Sequence, residues 1–450
     1  MVGAEDGAMN TRPLFFAAGH CISAGLTLRP ARPPGRRFAA LALLGLMLIS
    51  GLAAAQPLIV RDIHFAGNRI TQPSTLLREL KVRVGDAYDD AQVEASRQAI
   101  QDLGLFRSVA VDHETVDSGI ELTFTVAEKW YLQAYPRLSA NSDGQNSVGA
   151  ELRWSNLWGL NHSLRMLGRS RDSNDADRGR EQSYRARYSA PFLLGNHVGL
   201  RGGVSHSVTP FIDPAVYDET LNEAELLATY ALGQDGSASQ GWTLSAGPLW
   251  RNHQIAGNEQ VRAYGTSYAL VTQLDYRRFH NQIFSDQGQQ LSLRYEVAGQ
   301  SLGSDYSYAL LTADWNRSLA IGMRAHQTLD FGLRYGLSIN GLSNRPAFAL
   351  GGNDGLRGFD RRSFEGQQFY LAQIQFMRPL IWDSLRGTIG LEMGNAVYPG
   401  EAITGTPHLS LNAGLRLRPR RLVNFEVELG IALPLNDGGS RFYADKVGDR

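Results

Sequence analysis

The residue types that most often carry covalent chemistry are present in this chain but form no recognisable reactive motif. There is no GxSxG nucleophile elbow, no HExxH, no P-loop and no Cys/His spacing suited to a metal. The ten histidines are scattered, and His64, His113 and His197 read as surface or turn residues. The single cysteine, Cys21, precedes the processing site expected below, so a mature chain would hold no thiol. Neither an enzyme nor a cofactor is expected. What recurs instead is charge at every second position, as in Leu291-Ser292-Leu293-Arg294-Tyr295-Glu296-Val297 and Phe425-Glu426-Val427-Glu428-Leu429. Such charges are expensive against lipid and comfortable in a wet interior, where they pair. The chemistry on offer is non-covalent.

Alternating charge needs strands to position it. The chain has 450 residues, 44 basic and 44 acidic, so its net charge is zero. That balance argues against nucleic acid, which is held by an excess of basic residues. A mean hydropathy of −0.25 excludes a bundle of membrane helices. It is compatible with a membrane barrel, whose strands average apolar outward and polar inward positions. The 48 glycines suit the turns of such a fold.

Residues 29–37 are basic, Phe38 to Leu52 is an apolar run short for a spanning helix, and Ala53-Ala54-Ala55 supplies small residues. Residues 1–55 are therefore expected to be an N-terminal extension and a cleavable signal peptide, cut before Gln56.

Residues 57–128 read as strand, helix, helix, strand, strand. Leu58 to Phe65 is apolar with partial alternation, and Gly67-Asn68 marks a turn. Leu76, Leu77 and Leu80 place a helix over Thr71–Leu80. A second helix runs from Asp90 to Leu103 and stops at Gly104. Phe106–Val111 and the alternating Ile120–Val126 complete a small α+β core.

From residue 129 the helical period disappears. Segments of about ten residues alternate in polarity over 129–450 and predict about sixteen antiparallel transmembrane strands. Their centres fall near residues 135, 151, 166, 186, 202, 228, 247, 270, 293, 312, 332, 373, 390, 412, 427 and 444. Short connections at 190–196, 279–288 and 320–325 contrast with longer ones around 170–181, 208–222 and 338–368. Short turns are expected in the periplasm.

Several of these segments resemble a known family. His64-Phe65-Ala66-Gly67-Asn68, the VGDAYD turn at 84–89, LGLFRSVAV at 103–111 and Val126-Ala127-Glu128 are similar to a POTRA domain of the BamA/TamA superfamily. Leu356-Arg357-Gly358-Phe359, led by Leu350-Gly351-Gly352, resembles the motif of that superfamily's sixth extracellular loop. Asn156-Leu157-Trp158-Gly159, Ser189-Ala190-Pro191-Phe192 and Phe284-Ser285-Asp286-Gln287-Gly288 are further echoes. The resemblance implies that the loop folds into the lumen and that Arg357 pairs with acidic residues on the twelfth and thirteenth strands. Glu392, with Gly394, stands where the family carries Asp-x-Gly. Gln375 stands where it often carries a glutamate, and brings no charge.

The resemblance further implies a bacterial outer-membrane protein among outer-membrane lipids, with its POTRA domain in the periplasm. Clients would be unfolded outer-membrane or secreted proteins, with a periplasmic or inner-membrane accessory protein as a further partner. An insertase or translocase is the leading expectation. A passive pore or structural barrel is the alternative, favoured by the lone POTRA segment and by a chain end, Val447-Gly448-Asp449-Arg450, that lacks the usual terminal aromatic.

Overall fold

A computed structural model describes residues 58–117, 119–139, 146–172, 180–211, 216–234, 237–258, 265–339, 347–403, 405–436 and 439–447. The expected signal peptide lies outside them.

The N-terminal unit begins with β1 (Ile59–Ala66), then α1 (Pro73–Leu77), α2 (Asp90–Asp102), β2 (Phe106–Val116) and β3 (Gly119–Glu128). Its sheet order is β1-β3-β2, with β1 parallel and β2 antiparallel to the central β3. The central strand must bury most. Accordingly Ile120, Leu122, Phe124 and Val126 are buried together with Leu76 and Ile100 of the helices. Helix α2 starts where the Asp89 side chain accepts from the Ala91 N–H, and the chain leaves it through Gly104 at φ +71°.

The predicted helix over Thr71–Leu80 shrinks to five residues. Pro73 fixes its first turn, and Thr71 is drawn out of the helix by Glu128, which accepts from its N–H and its hydroxyl, both at 2.7 Å.

Sixteen strands form the second unit. They are β4 (Leu132–Ser139), β5 (Ser147–Leu157), β6 (His162–Asp172), β7 (Arg180–Leu194), β8 (Val198–Phe211), β9 (Tyr217–Gln234), β10 (Gly241–Ala256), β11 (Gly265–Asn281), β12 (Asp286–Ala298), β13 (Tyr308–Ala320) and β14 (Thr328–Ile339). A hairpin of β15 (Phe348–Leu350) and β16 (Phe364–Gly366) intervenes. The wall then resumes with β17 (Gln368–Pro379), β18 (Leu385–Val397), β19 (His408–Leu417), β20 (Glu426–Pro434) and β21 (Arg441–Val447).

Each wall strand pairs antiparallel with its neighbours in the wall, and β4 and β21 are the two ends of the sheet. Every predicted strand centre falls inside a strand. The 208–222 connection is shorter than predicted, because β8 continues to Phe211 and β9 starts at Tyr217. Thr209 and Pro210 keep pairing with Glu219 and Asp218, so polar sequence here extends a ladder instead of ending it.

Alternation sorts the wall into two faces. Leu226, Leu270, Leu333, Ile389 and Ile431 are among the exposed apolar residues of the outer face. Charged side chains such as Glu151, Glu296, Glu392 and Glu428 are buried on the inner face. Among the described residues no helix is long and apolar enough to cross a membrane.

Candidate functional site

The β15–β16 hairpin carries the 351–363 turn against the inner wall. Apolar contact seats it: Leu350, Leu356, Phe369 and Leu371 are buried together, with Phe348, Phe359 and Phe364 against them. Phe364 stacks on His408 with ring centroids 3.6 Å apart. The backbone path is tight. Leu356 is at φ +61°, and a Cβ on Gly358 would lie 2.6 Å from the Pro434 nitrogen. Gly394 makes room on the wall side, since a Cβ there would lie 3.3 Å from Leu350 Cδ1 and 2.7 Å from the Tyr370 carbonyl.

Arg357 is thereby brought to the wall. Its N–H donates to Glu392 Oε2 at 2.7 Å, and its Nε lies 3.6 Å from Glu392 Oε1. Its Nη1 lies 3.6 Å from Glu428 Oε1 and 3.5 Å from Asn412 Oδ1. The guanidinium stands 5.1 Å over the Tyr443 ring, and the Tyr443 hydroxyl donates to Glu428 at 2.8 Å. The next N–H, of Gly358, donates to Ser410 Oγ at 2.8 Å. One loop arginine thus gathers β18, β19, β20 and β21. A charge removed from water to this extent is favourable only when partners surround it.

Gln375 does not join it. Its amide donates to Glu428 at 3.1 Å and its carbonyl accepts from Arg416 at 2.7 Å. With no charge to draw the guanidinium, the twelfth wall strand holds Glu428 in place instead of contacting Arg357. The sequence reading missed Glu428 and Tyr443. The signal was available in Phe425–Leu429, where alternation puts both Glu426 and Glu428 on the inner face. The hairpin is fastened at two further points, by Arg361 to Glu181 of β7 at 2.6 Å and by Arg441 of β21 to Asp360.

A second constellation lies where the N-terminal unit meets the barrel's short turns. The Gly159 carbonyl accepts from the Gln72 N–H at 3.0 Å and the Thr75 hydroxyl at 2.8 Å, and Asn156 donates to Thr71 Oγ1 at 2.8 Å. The Asn156-Leu157-Trp158-Gly159 segment is therefore a docking turn. Two carboxylates of the unit are buried in the contact. Glu79 accepts from the Ser239 N–H and hydroxyl at 3.1 and 2.8 Å. Asp102 accepts from the Asn281 N–H at 2.8 Å and lies 2.9 Å from His280 Nδ1. Burial pushes the pKa of both carboxyls up from its ordinary value. Lys129, whose ammonium donates to the Gly104 carbonyl at 2.8 Å, is pushed down to about 8 by the same desolvation. The turn residues Gly67 and Asn68 serve the unit itself: Gly67 sits at φ +82° and Asn68 donates to the Thr71 carbonyl.

Comparison with known proteins matches these two units separately. Residues 58–129 match the POTRA family, described as surface antigen variable number repeat, and residues 145–418 match the Omp85 superfamily domain. No curated protein matches the chain. Among solved structures, BamA from Haemophilus ducreyi lacking POTRA domains 1-3 is similar at TM-score 0.53 and 16% identity, covering 86% of this chain and 84% of that one. CdiB from Acinetobacter baumannii is similar at TM-score 0.58 and 15% identity, covering 87% and 74%. CdiB from Escherichia coli is similar at TM-score 0.58 and 14% identity, covering 87% and 76%. At such identities the likeness speaks to fold. The Omp85 match itself spans more than half of the chain, so this protein belongs to the Omp85 superfamily and is a bacterial outer-membrane barrel with one POTRA domain ahead of it.

Proposed function

We propose that the barrel acts as an insertase or translocase, receiving client polypeptides through its POTRA domain on the periplasmic side and passing them into or across the outer membrane without covalent chemistry. The observation that carries this reading is the seam. Among the described residues no backbone ladder joins β4 to β21, the two ends of the sheet. Side chains span the seam instead: the Lys446 ammonium of β21 stands 4.9 Å over the Tyr135 ring of β4 and donates to Glu151 of β5, the next strand in, at 3.2 Å. The start of β4 is tied elsewhere, the Trp130 N–H donating to the Arg421 carbonyl at 2.9 Å. A strand edge left without a ladder accepts a new strand readily, because its unpaired N–H and C=O groups satisfy almost any sequence. Strand β2 offers a second such edge in the POTRA sheet, whose order is β1-β3-β2.

The test is site-specific photocrosslinking in cells from exposed positions of the POTRA edge strand β2 and from β4 and β21. Nascent outer-membrane or secreted chains trapped at both places are the expected result. Lipid and self-crosslinks alone, with client export normal in a deletion strain, would replace this reading by that of a passive barrel.

A further inference from the structure

The POTRA domain does not use the whole rim of the barrel end on which it docks. The turns after β5, β7, β9, β11 and β19, or the strand ends leading into them, meet it at Gly159, Phe192, Ser239, Asn281 and Arg420. Two turns at that end remain, residues 321–327 between β13 and β14 and residues 380–384 between β17 and β18. Among the described residues no hydrogen bond, ion pair or ring contact of the POTRA domain reaches either. Because β14 pairs with β17, the two turns are neighbours, and Arg324 ties them by donating to the Leu380 carbonyl at 2.9 Å.

These turns carry the two most exposed large apolar side chains of the described residues, Met323, which is fully exposed, and Ile381 at 76%. Trp382 beside them is 65% exposed. Arginines stand next to this apolar patch. Ser318 faces the lumen, donating to Asp330 at 2.7 Å, so alternation places its neighbour Arg317 on the outer face with Trp315. Met377 is buried on the inner side, so Arg378 is on the outer face with Ile374. Both arginines are exposed, and neither makes a hydrogen bond or ion pair among the described residues. The one carboxylate of the two turns, Asp383, pairs with none of the three arginines. An arginine on a lipid-facing strand is costly unless its guanidinium reaches a polar layer, and its carbon stem is long enough to do so.

We infer that Arg317, Arg324 and Arg378, with Ile381 and Trp382, form an anchor for phospholipids with anionic headgroups at the periplasmic leaflet. The patch continues the outer face that bears Trp315 and Ile374, which the bilayer covers, so lipid is the occupant within reach. Guanidinium matches phosphate in charge and in geometry, and an indole is at home where hydrocarbon meets water. The POTRA domain would then fasten one part of the rim, and lipid the other.

Full-length protein in detergent micelles is titrated with phosphatidylglycerol and, separately, with phosphatidylethanolamine, and bound lipid is counted by native mass spectrometry. The parent should hold phosphatidylglycerol about tenfold or more tightly. Arg317→Gln/Arg324→Gln/Arg378→Gln should hold the two alike. Arg180→Gln, at the opposite end of the barrel beside Asp172, should keep the preference. In vesicles of the same lipids carrying brominated acyl chains, Trp382→Phe should remove part of the quenched tryptophan emission. Heat-modifiable gel mobility establishes that each variant is folded. A folded parent without lipid preference, or a preference unchanged in the triple variant, overturns the anchor. Quenched emission unchanged in Trp382→Phe also overturns it and gives the turns to a protein partner. No client takes part, so the result is independent of the insertase reading.

Discussion

A guanidinium enclosed by a barrel wall is favourable only while carboxylates face it, which makes Arg357 the residue whose loss should be felt most. Glu392 and Glu428 both lie within 3.6 Å of it, so Arg357→Gln leaves two buried carboxylates short of a partner. The expected destabilisation is about 3–5 kcal/mol, read as a lower temperature at which the folded, fast-migrating band is lost on gels. Arg357→Lys should recover only part of it, because one ammonium cannot span Glu392 on β18 and Glu428 on β20 as a planar fork does. A double-mutant cycle with Glu428→Gln should show coupling, and its absence would mean that Glu392 alone anchors the loop. At this scale the sequence was partly legible. Arg357 and Glu392 could be named from the resemblance of their segments to a known family, whereas Glu428 could be read only as facing inward and Tyr443 not at all. Alternation says that a residue faces inward, not which of its inward neighbours a returning loop will reach.

At the scale of elements, the POTRA domain is held by turns whose backbone leaves no spare room. Gly159 sits at φ +75°, and a Cβ there would lie 2.1 Å from the Ile70 carbonyl. Gly159→Ala should cost about 1–2 kcal/mol from the left-handed backbone alone, and the clash should loosen the dock. The check is faster hydrogen exchange at the Gln72 N–H, with the barrel's own ladder unchanged. The dock should also respond to pH. Burial raises the Glu79 and Asp102 carboxyls above 4.5 and 3.8, so the docked state binds more protons than the undocked one. The sign follows: docking is favoured most below those ordinary values, and the advantage is lost as pH rises through the raised ones. Protection of the Ser239 N–H should therefore fall with rising pH, and Glu79→Gln should flatten that dependence while keeping the dock. Strand count and every strand centre could be read from period-two polarity, because a lumen and a lipid face impose it on each strand alike. The docking carboxylates could not, since Glu79 and Asp102 lie on helical sequence that reads as ordinary solvent-facing polarity.

Over the whole molecule, the wall is continuous except at one place, and that place is closed by side chains. Lys446 reaches from β21 to Glu151 and over Tyr135 of β4, while the entry to β4 is tied to the 418–425 turn. Side-chain contacts break one at a time, whereas a backbone ladder must unzip, so opening should be concentrated at this seam. The proposal that clients are templated there can be tested by locking it. Cys21 is the chain's one cysteine and precedes the expected processing site, so an introduced pair would have no competing thiol in the mature protein. The Lys446 ammonium lies 4.9 Å from the Tyr135 ring, so Tyr135→Cys with Lys446→Cys is a pair that a flexible, reducible bis-maleimide linker can join across the seam. Linked, this variant should remain folded and resist heat at least as well as the parent, yet stop supporting export of its clients; reductive cleavage of the linker should restore export. Each single substitution should leave export intact, since either alone weakens the seam without closing it. Normal export with the link fully formed would mean that nothing passes between β4 and β21, and would leave the lumen and the POTRA edge as the surfaces on which a client could act.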